Sequence, residues 1–141
     1  MKPQIFALVT AILWGIGGYF EKQGLHRGHL SPQMGITIRT AIALVILSAV
    51  SFPHWKTVAH AGARPLLYMI VGGGIVAGSV GMLCFYTALK GAPLNRVLPI
   101  AFTSPLFGAI MGYLYGGETL SGRGVLGMAM TVGGIVLLTI G

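Results

Sequence analysis

Between Val97 and Tyr115 the chain runs for 19 residues without a charge, long enough to cross a hydrocarbon core of about 30 Å as a helix. Four more apolar runs accompany it, from Pro3 to Phe20, Met34 to Phe52, Leu66 to Leu89 and Gly124 to Gly141. The chain is 55% hydrophobic and 8% charged, a balance that suits a bilayer rather than a soluble domain. These runs predict an all-α integral membrane protein. Its five spans are expected at about 3–20, 34–52, 66–89, 94–115 and 124–141, in a single membrane domain over residues 1–141.

The fourth span holds most of the chemical irregularity. Pro99 has no N–H for the carbonyl of Asn95, and Pro105 has none for Ala101. Each freed carbonyl needs a partner in lipid, and the hydroxyls of Thr103 and Ser104, a neighbouring helix or a hydrated cavity are the available ones. The helix is expected to kink at Pro99 and Pro105. Ser104, Gly108, Gly112 and Gly116 form a small-residue ladder at four-residue spacing, so Gly108 and Gly112 are expected to admit a neighbouring helix closely. In the third span, Gly74 and Gly78 form a GxxxG pair with the same expected use.

The remaining residues exclude several classes. Nine Lys and Arg give a net charge of +7, but they are scattered singly between apolar runs as interfacial anchors would be. No nucleic-acid partner is expected. The first run lacks a small-residue cleavage site, so it reads as a retained helix rather than a signal peptide. His26 and His29 stand in an expected solvated loop without a thiolate or acid to complete a metal set, and no metal or cofactor is expected. Ala77-Gly78-Ser79-Val80-Gly81 loosely matches a nucleophile elbow, yet it lies in mid-span with no strand before it. Two acids and four histidines supply no catalytic set, so the chain is not expected to be an enzyme.

Arg39 is the one charge embedded in the five apolar runs, five residues or about 7.5 Å from the start of its own. Two readings stay open: its side chain snorkels to the interface, or it faces a cavity and serves function. An odd number of spans places the termini on opposite sides. Lys2, Lys56, Arg64 and Arg123 then lie on one side, and Lys22, Arg27, Lys90 and Arg96 on the other. A four-against-four tally leaves orientation unbiased. Dual topology with an antiparallel homodimer is one consequence, and a fixed orientation set by features outside the tally is the other.

Ala11-Ile12-Leu13-Trp14-Gly15, Arg39, Tyr86-Thr87-Ala88-Leu89-Lys90-Gly91-Ala92-Pro93, Pro99, Pro105, Gly117-Glu118, Gly127 and Gly134, in that order, resemble an EamA domain of the drug/metabolite transporter superfamily. The resemblance covers essentially the whole chain. It implies half of an inverted-repeat, ten-helix transporter in the inner cell membrane, with membrane lipids and a small-molecule solute as partners. It further implies that Trp14, Arg39, Tyr86, Lys90, Thr103 and Ser104 line the substrate cavity. Related small multidrug resistance proteins carry a mid-span glutamate in the first helix, where this chain has Leu13-Trp14-Gly15; proton-coupled efflux of organic cations is therefore not expected. Glu21 reads as an interfacial ion beside Lys22, with a proton-carrier role as the lesser reading. The expected function is alternating-access transport of small metabolites, as a facilitator or exchanger. A lipid-linked substrate flippase and a non-transporting assembly partner are the alternatives.

Overall fold

A computed structural model describes residues 3–140; Lys2, counted in the charge tally, and Gly141, the expected end of the fifth span, lie outside them. The described residues are almost entirely helical and contain no strand. Five stretches are long and apolar enough to cross a membrane: Pro3–Arg27, Pro32–His60, Ala63–Gly91, Leu94–Tyr115 and Gly122–Ile140. The chain divides into two compact units, Met1–Gly91 and Ala92–Gly141.

In the first unit, α1 (Pro3–Arg27) and α2 (Pro32–Ser51) form a hairpin. The first helix does not stop near Phe20 as its charge pattern predicts. Glu21, Lys22 and Gln23 are good helix formers, and Leu25 beyond them is buried, so the chain gains by continuing the helix. Its end is a Schellman motif, in which Leu30 N–H donates to the Leu25 carbonyl at 3.1 Å and His29 N–H to that of His26 at 3.3 Å. His29 takes the left-handed conformation this motif needs, at φ 50°. The expected loop from 21 to 33 shrinks to four residues. Ser31 then caps α2 by accepting from Met34 N–H at 3.2 Å, and Pro32 enters the first turn where its missing N–H costs nothing.

A 3₁₀ turn (Phe52–His54) and α3 (Trp55–His60) extend the second span. The third span is built from α4 (Ala63–Tyr68), a π-helical stretch (Met69–Gly81) and α5 (Met82–Gly91). The π geometry is unusual, because such turns normally occur singly. Its glycines explain how it fits: a Cβ at Gly78 would stand 2.8 Å from the Gly73 carbonyl oxygen. Ser79 Oγ follows the same wide winding and donates to the Gly74 carbonyl, five residues back, at 2.9 Å. Among the described residues, no neighbouring helix approaches Gly74 or Gly78 as the GxxxG spacing predicts. The nearest atoms to a Cβ at either belong to earlier residues of the same helix.

In the second unit, α6 (Leu94–Ala101) packs on α8 (Gly122–Ile140), with α7 (Ser104–Tyr115) between them in sequence. The expected kinked helix over 94–115 is instead two helices separated by Phe102 and Thr103. Pro105 falls in the first turn of α7, where it starts a helix rather than bending one. The Thr103 hydroxyl does satisfy a carbonyl at the break, but that of Ile100, at 2.8 Å, rather than Ala101. Gly112 faces Glu118 of the following loop, whose Oε2 would lie 2.7 Å from an added Cβ, and Gly108 faces open space within this chain. Glu118 therefore folds back on the end of α7 and does not sit at the start of α8, which begins at Gly122.

A non-glycine residue in the left-handed region carries strain that glycine does not. His29→Gly is expected to stabilise the chain by roughly 0.5–1 kcal/mol, read as a raised unfolding midpoint in mild detergent.

Candidate functional site

The α1–α2 hairpin fixes the depth of two charges. Glu21 and Arg39 each stand nine residues from Leu30, so antiparallel helices joined there bring them level. Arg39 Nε meets Glu21 Oε1 at 3.0 Å. The two side chains differ in cover, at 42% exposed for Arg39 and 22% for Glu21. Partnering is what makes either tolerable at this depth, because an ion left alone in a low-dielectric medium costs several kcal/mol.

The third helix completes the group. Tyr86 of α5 is 2% exposed, and its side chain stands beside that of Glu21. A buried tyrosine needs such a partner for its polar end. Its ring reaches that position because α2 has no side chain at Gly35: a Cβ there would lie 2.9 Å from Tyr86 Cε1 and 2.7 Å from Leu25 Cδ2. Leu25, Tyr86 and Leu89 are the most fully buried large side chains, and all lie at this end of the unit.

Two lysines tie the same end together. Lys22 Nζ donates to the Leu89 carbonyl at 2.8 Å, and Lys90 Nζ to the Leu30 carbonyl at 2.6 Å. The first bond places a cation at the carboxyl end of α5, where terminal carbonyls lack intrahelical partners and the helix dipole is negative. The second holds the hairpin loop to α5.

Of the residues the resemblance implicates, Arg39 and Tyr86 converge on Glu21. Lys90 lies one turn beyond Tyr86 and is engaged with a backbone carbonyl in this conformation. Trp14 is exposed and stands two turns before Glu21 on the same side of α1, about 10.5 Å away along the axis. Thr103 and Ser104 belong to the second unit, where Thr103 and Pro105 border a small apolar cleft of about 140 Å³ with Phe102, Leu106, Met128 and Thr131. Sequence reasoning underrated Glu21 and overlooked Gly35. The equal distances of Glu21 and Arg39 from Leu30 were the available signal for the first; Gly35 offered none, since its role depends on a ring from another helix.

The fold and this cluster define a multi-pass membrane protein with a charged group held inside its spans. Over residues 1–140 the chain matches the EamA-like transporter family and belongs to it. It is similar to an uncharacterized transporter in the cobO 3′ region of Sinorhizobium sp, at 27% identity over 97% of this chain and 96% of the relative. An uncharacterized protein of Methanocaldococcus jannaschii is 25% identical over 96% of this chain and 95% of its own length. A chloroplastic WAT1-related protein of Arabidopsis thaliana is 38% identical over 52% of this chain, which is 16% of that protein. No solved structure matches significantly. Family and relatives point to a membrane transporter rather than an enzyme.

Gly35→Ala is expected to lower stability by about 1–2 kcal/mol through overpacking against Tyr86 and Leu25. Gly15→Ala, with nothing within 4 Å of the added Cβ, is expected to be neutral or stabilising by helix propensity alone. Paired thermal unfolding of the two variants in detergent checks the contrast.

Proposed function

We propose that the chain is a carrier for small metabolites that works by alternating access as an antiparallel, dual-topology homodimer. It acts as a facilitator or exchanger in the inner cell membrane, with residues 1–141 serving as one functional domain. The observation that carries this reading is the partly exposed side chain of Arg39, kept inside a span of a transporter-family protein. A buried arginine kept only for stability would be enclosed by its partners, whereas 42% of this side chain is exposed. Arg39 attracts an anionic or zwitterionic group, Trp14 contacts the apolar part of the solute, and Tyr86 orients the polar cluster. Thr103 and Ser104 contribute hydroxyls where the fourth span is broken, and that break is the moving part.

The half-size assembly draws support from two quarters. Two relatives share nearly the whole length of this chain, and the balanced Lys and Arg tally leaves insertion unbiased. Inverted repeats around a midplane site suit alternating access, and an antiparallel pair supplies them.

Reporters active on one side of the membrane, fused to the carboxyl terminus and expressed at low level, are expected to signal from both sides; signal from one side alone refutes dual topology. Arg39→Ala is expected to abolish uptake of a labelled organic-acid panel into proteoliposomes while the dimer remains on size-exclusion. Arg39→Gln, which keeps hydrogen-bonding capacity, serves as the folding control. Normal uptake by both variants would remove Arg39 from the site.

A further inference from the structure

The cluster around Glu21 has a charge balance that limits how Arg39 can bind an anion. As it stands, one carboxylate and one guanidinium sum to zero. An anionic solute added to Arg39 would leave the group at −1 inside an apolar span, where the cost of uncompensated charge is high. Displacing Glu21 without neutralising it leaves a mostly covered carboxylate unpaired beside a second anion. A neutral Glu21 removes the conflict.

We propose that Glu21 is the removable counter-ion of Arg39, that the solute is an organic carboxylate, and that it binds Arg39 when Glu21 takes up a proton, so that carboxylate and proton move together. This rests on the transporter reading above, names its substrate class and replaces the facilitator or exchanger with proton-carboxylate symport. The carboxylate assignment follows from the occupant already present: Arg39 holds a carboxylate oxygen at 3.0 Å, and a solute carboxylate is its nearest chemical replacement.

The exchange balances. Glu21 COO⁻ gains one H⁺ and becomes COOH, its ion pair with Arg39 opens, and one solute carboxylate takes its place. The cluster has zero net charge before and after. The groups that bear on Glu21 come from all three helices packed there. Arg39 of α2 is its counter-ion, Tyr86 of α5 stands beside it, and Lys22 of α1 and Lys90 of α5 are held on the Leu89 and Leu30 carbonyls. Tyr86 would act as a positioning residue, since a hydroxyl beside Glu21 can donate to the ionised carboxylate and accept from the protonated one.

The test reads Arg39 directly, in the full-length chain reconstituted in liposomes. Phenylglyoxal labels unmasked guanidinium groups, and peptide mass spectrometry gives the labelling of Arg39 relative to the exposed Arg123 as an internal reference. That ratio is expected to rise about fivefold from alkaline to acid pH in the unmodified chain. In Glu21→Gln it is expected to be high at both. Propionate is expected to protect Arg39 in Glu21→Gln at both pH values, and in the unmodified chain at the acid pH alone. Inorganic phosphate is expected to protect weakly throughout.

A pH-independent ratio in the unmodified chain, a Glu21→Gln ratio equal to the unmodified one, or propionate protection that ignores pH would each overturn the proposal. Preferential protection by phosphate would overturn the carboxylate assignment. Should Glu21→Gln fail to fold, the pH and propionate series on the unmodified chain decide the matter alone. Labelling requires no flux, so the two readings fail separately. Propionate uptake above that of protein-free liposomes with pH-independent labelling refutes the counter-ion role and leaves the carrier, whereas acid-dependent labelling without such uptake at any pH refutes the carrier.

Discussion

A charge inside a bilayer must have its partner at the same depth, and the Glu21–Arg39 pair imposes that condition on the first unit. Depth is set by the hairpin. If α1 ended near Phe20, Glu21 would lie in a loop and Arg39 would have to reach the interface by itself. The helix instead runs to Arg27, turns through a four-residue connection that closes at Leu30, and restarts at Pro32. The strained backbone of His29 and the Ser31 cap are thus consequences of where the ion pair lies, because a longer or looser connection would let the two helices slip in register. Gly35 belongs to the same constraint. By yielding its side-chain volume, it lets the Tyr86 ring reach the carboxylate from a third helix.

The second demand of a bilayer is that backbone carbonyls not go unbonded, and the chain meets it differently at each weak point. Lysine ammonium groups take the carbonyls at the end of α5 and in the hairpin loop. Within the third span, the π winding and the Ser79 hydroxyl keep carbonyls bonded where glycines would otherwise loosen the backbone. At the proline break of the fourth span, Thr103 serves Ile100 through both its hydroxyl and its N–H. These solutions differ in reach. Lysine contacts fix one helix on another, while at the break the Thr103 hydroxyl and N–H close the end of α6 locally.

Much of the architecture was legible because a membrane span is a property of composition. Uncharged runs and glycine stripes announce helices whatever their neighbours do. Features that depend on a neighbour were harder to read. The charges after Phe20 resemble an interfacial stop until α2 is known to carry the opposite charge at equal depth. Pro105 resembles a kink until Thr103 is known to end one helix and begin another. The π winding of the third span, which brings a Cβ at Gly78 against the Gly73 carbonyl, left no mark in the GxxxG spacing of Gly74 and Gly78. Within the site, Arg39 and Tyr86 were marked by their chemical oddity in apolar sequence. Glu21 was obscured by Lys22 beside it, since adjacent opposite charges read as a surface pair although residues one apart on a helix do not face each other.

Cohesion within the first unit is uneven along its length. Its largest buried side chains gather around the ion pair, whereas Leu8, Ile12, Leu44, Leu47, Met69 and Ile70, toward the other end of the three spans, are exposed within this chain. One end is held by charge, hydrogen bonds and packing, and the other is left for lipid or a second copy. In the antiparallel homodimer proposed above, each mouth of the cavity would carry one such held end. Opening one mouth would break a set of contacts that closing the other restores, and the inward- and outward-facing states would be related by symmetry and equal in energy. A carrier of that kind has no intrinsic direction. The solute and proton gradients together would set the direction of flux.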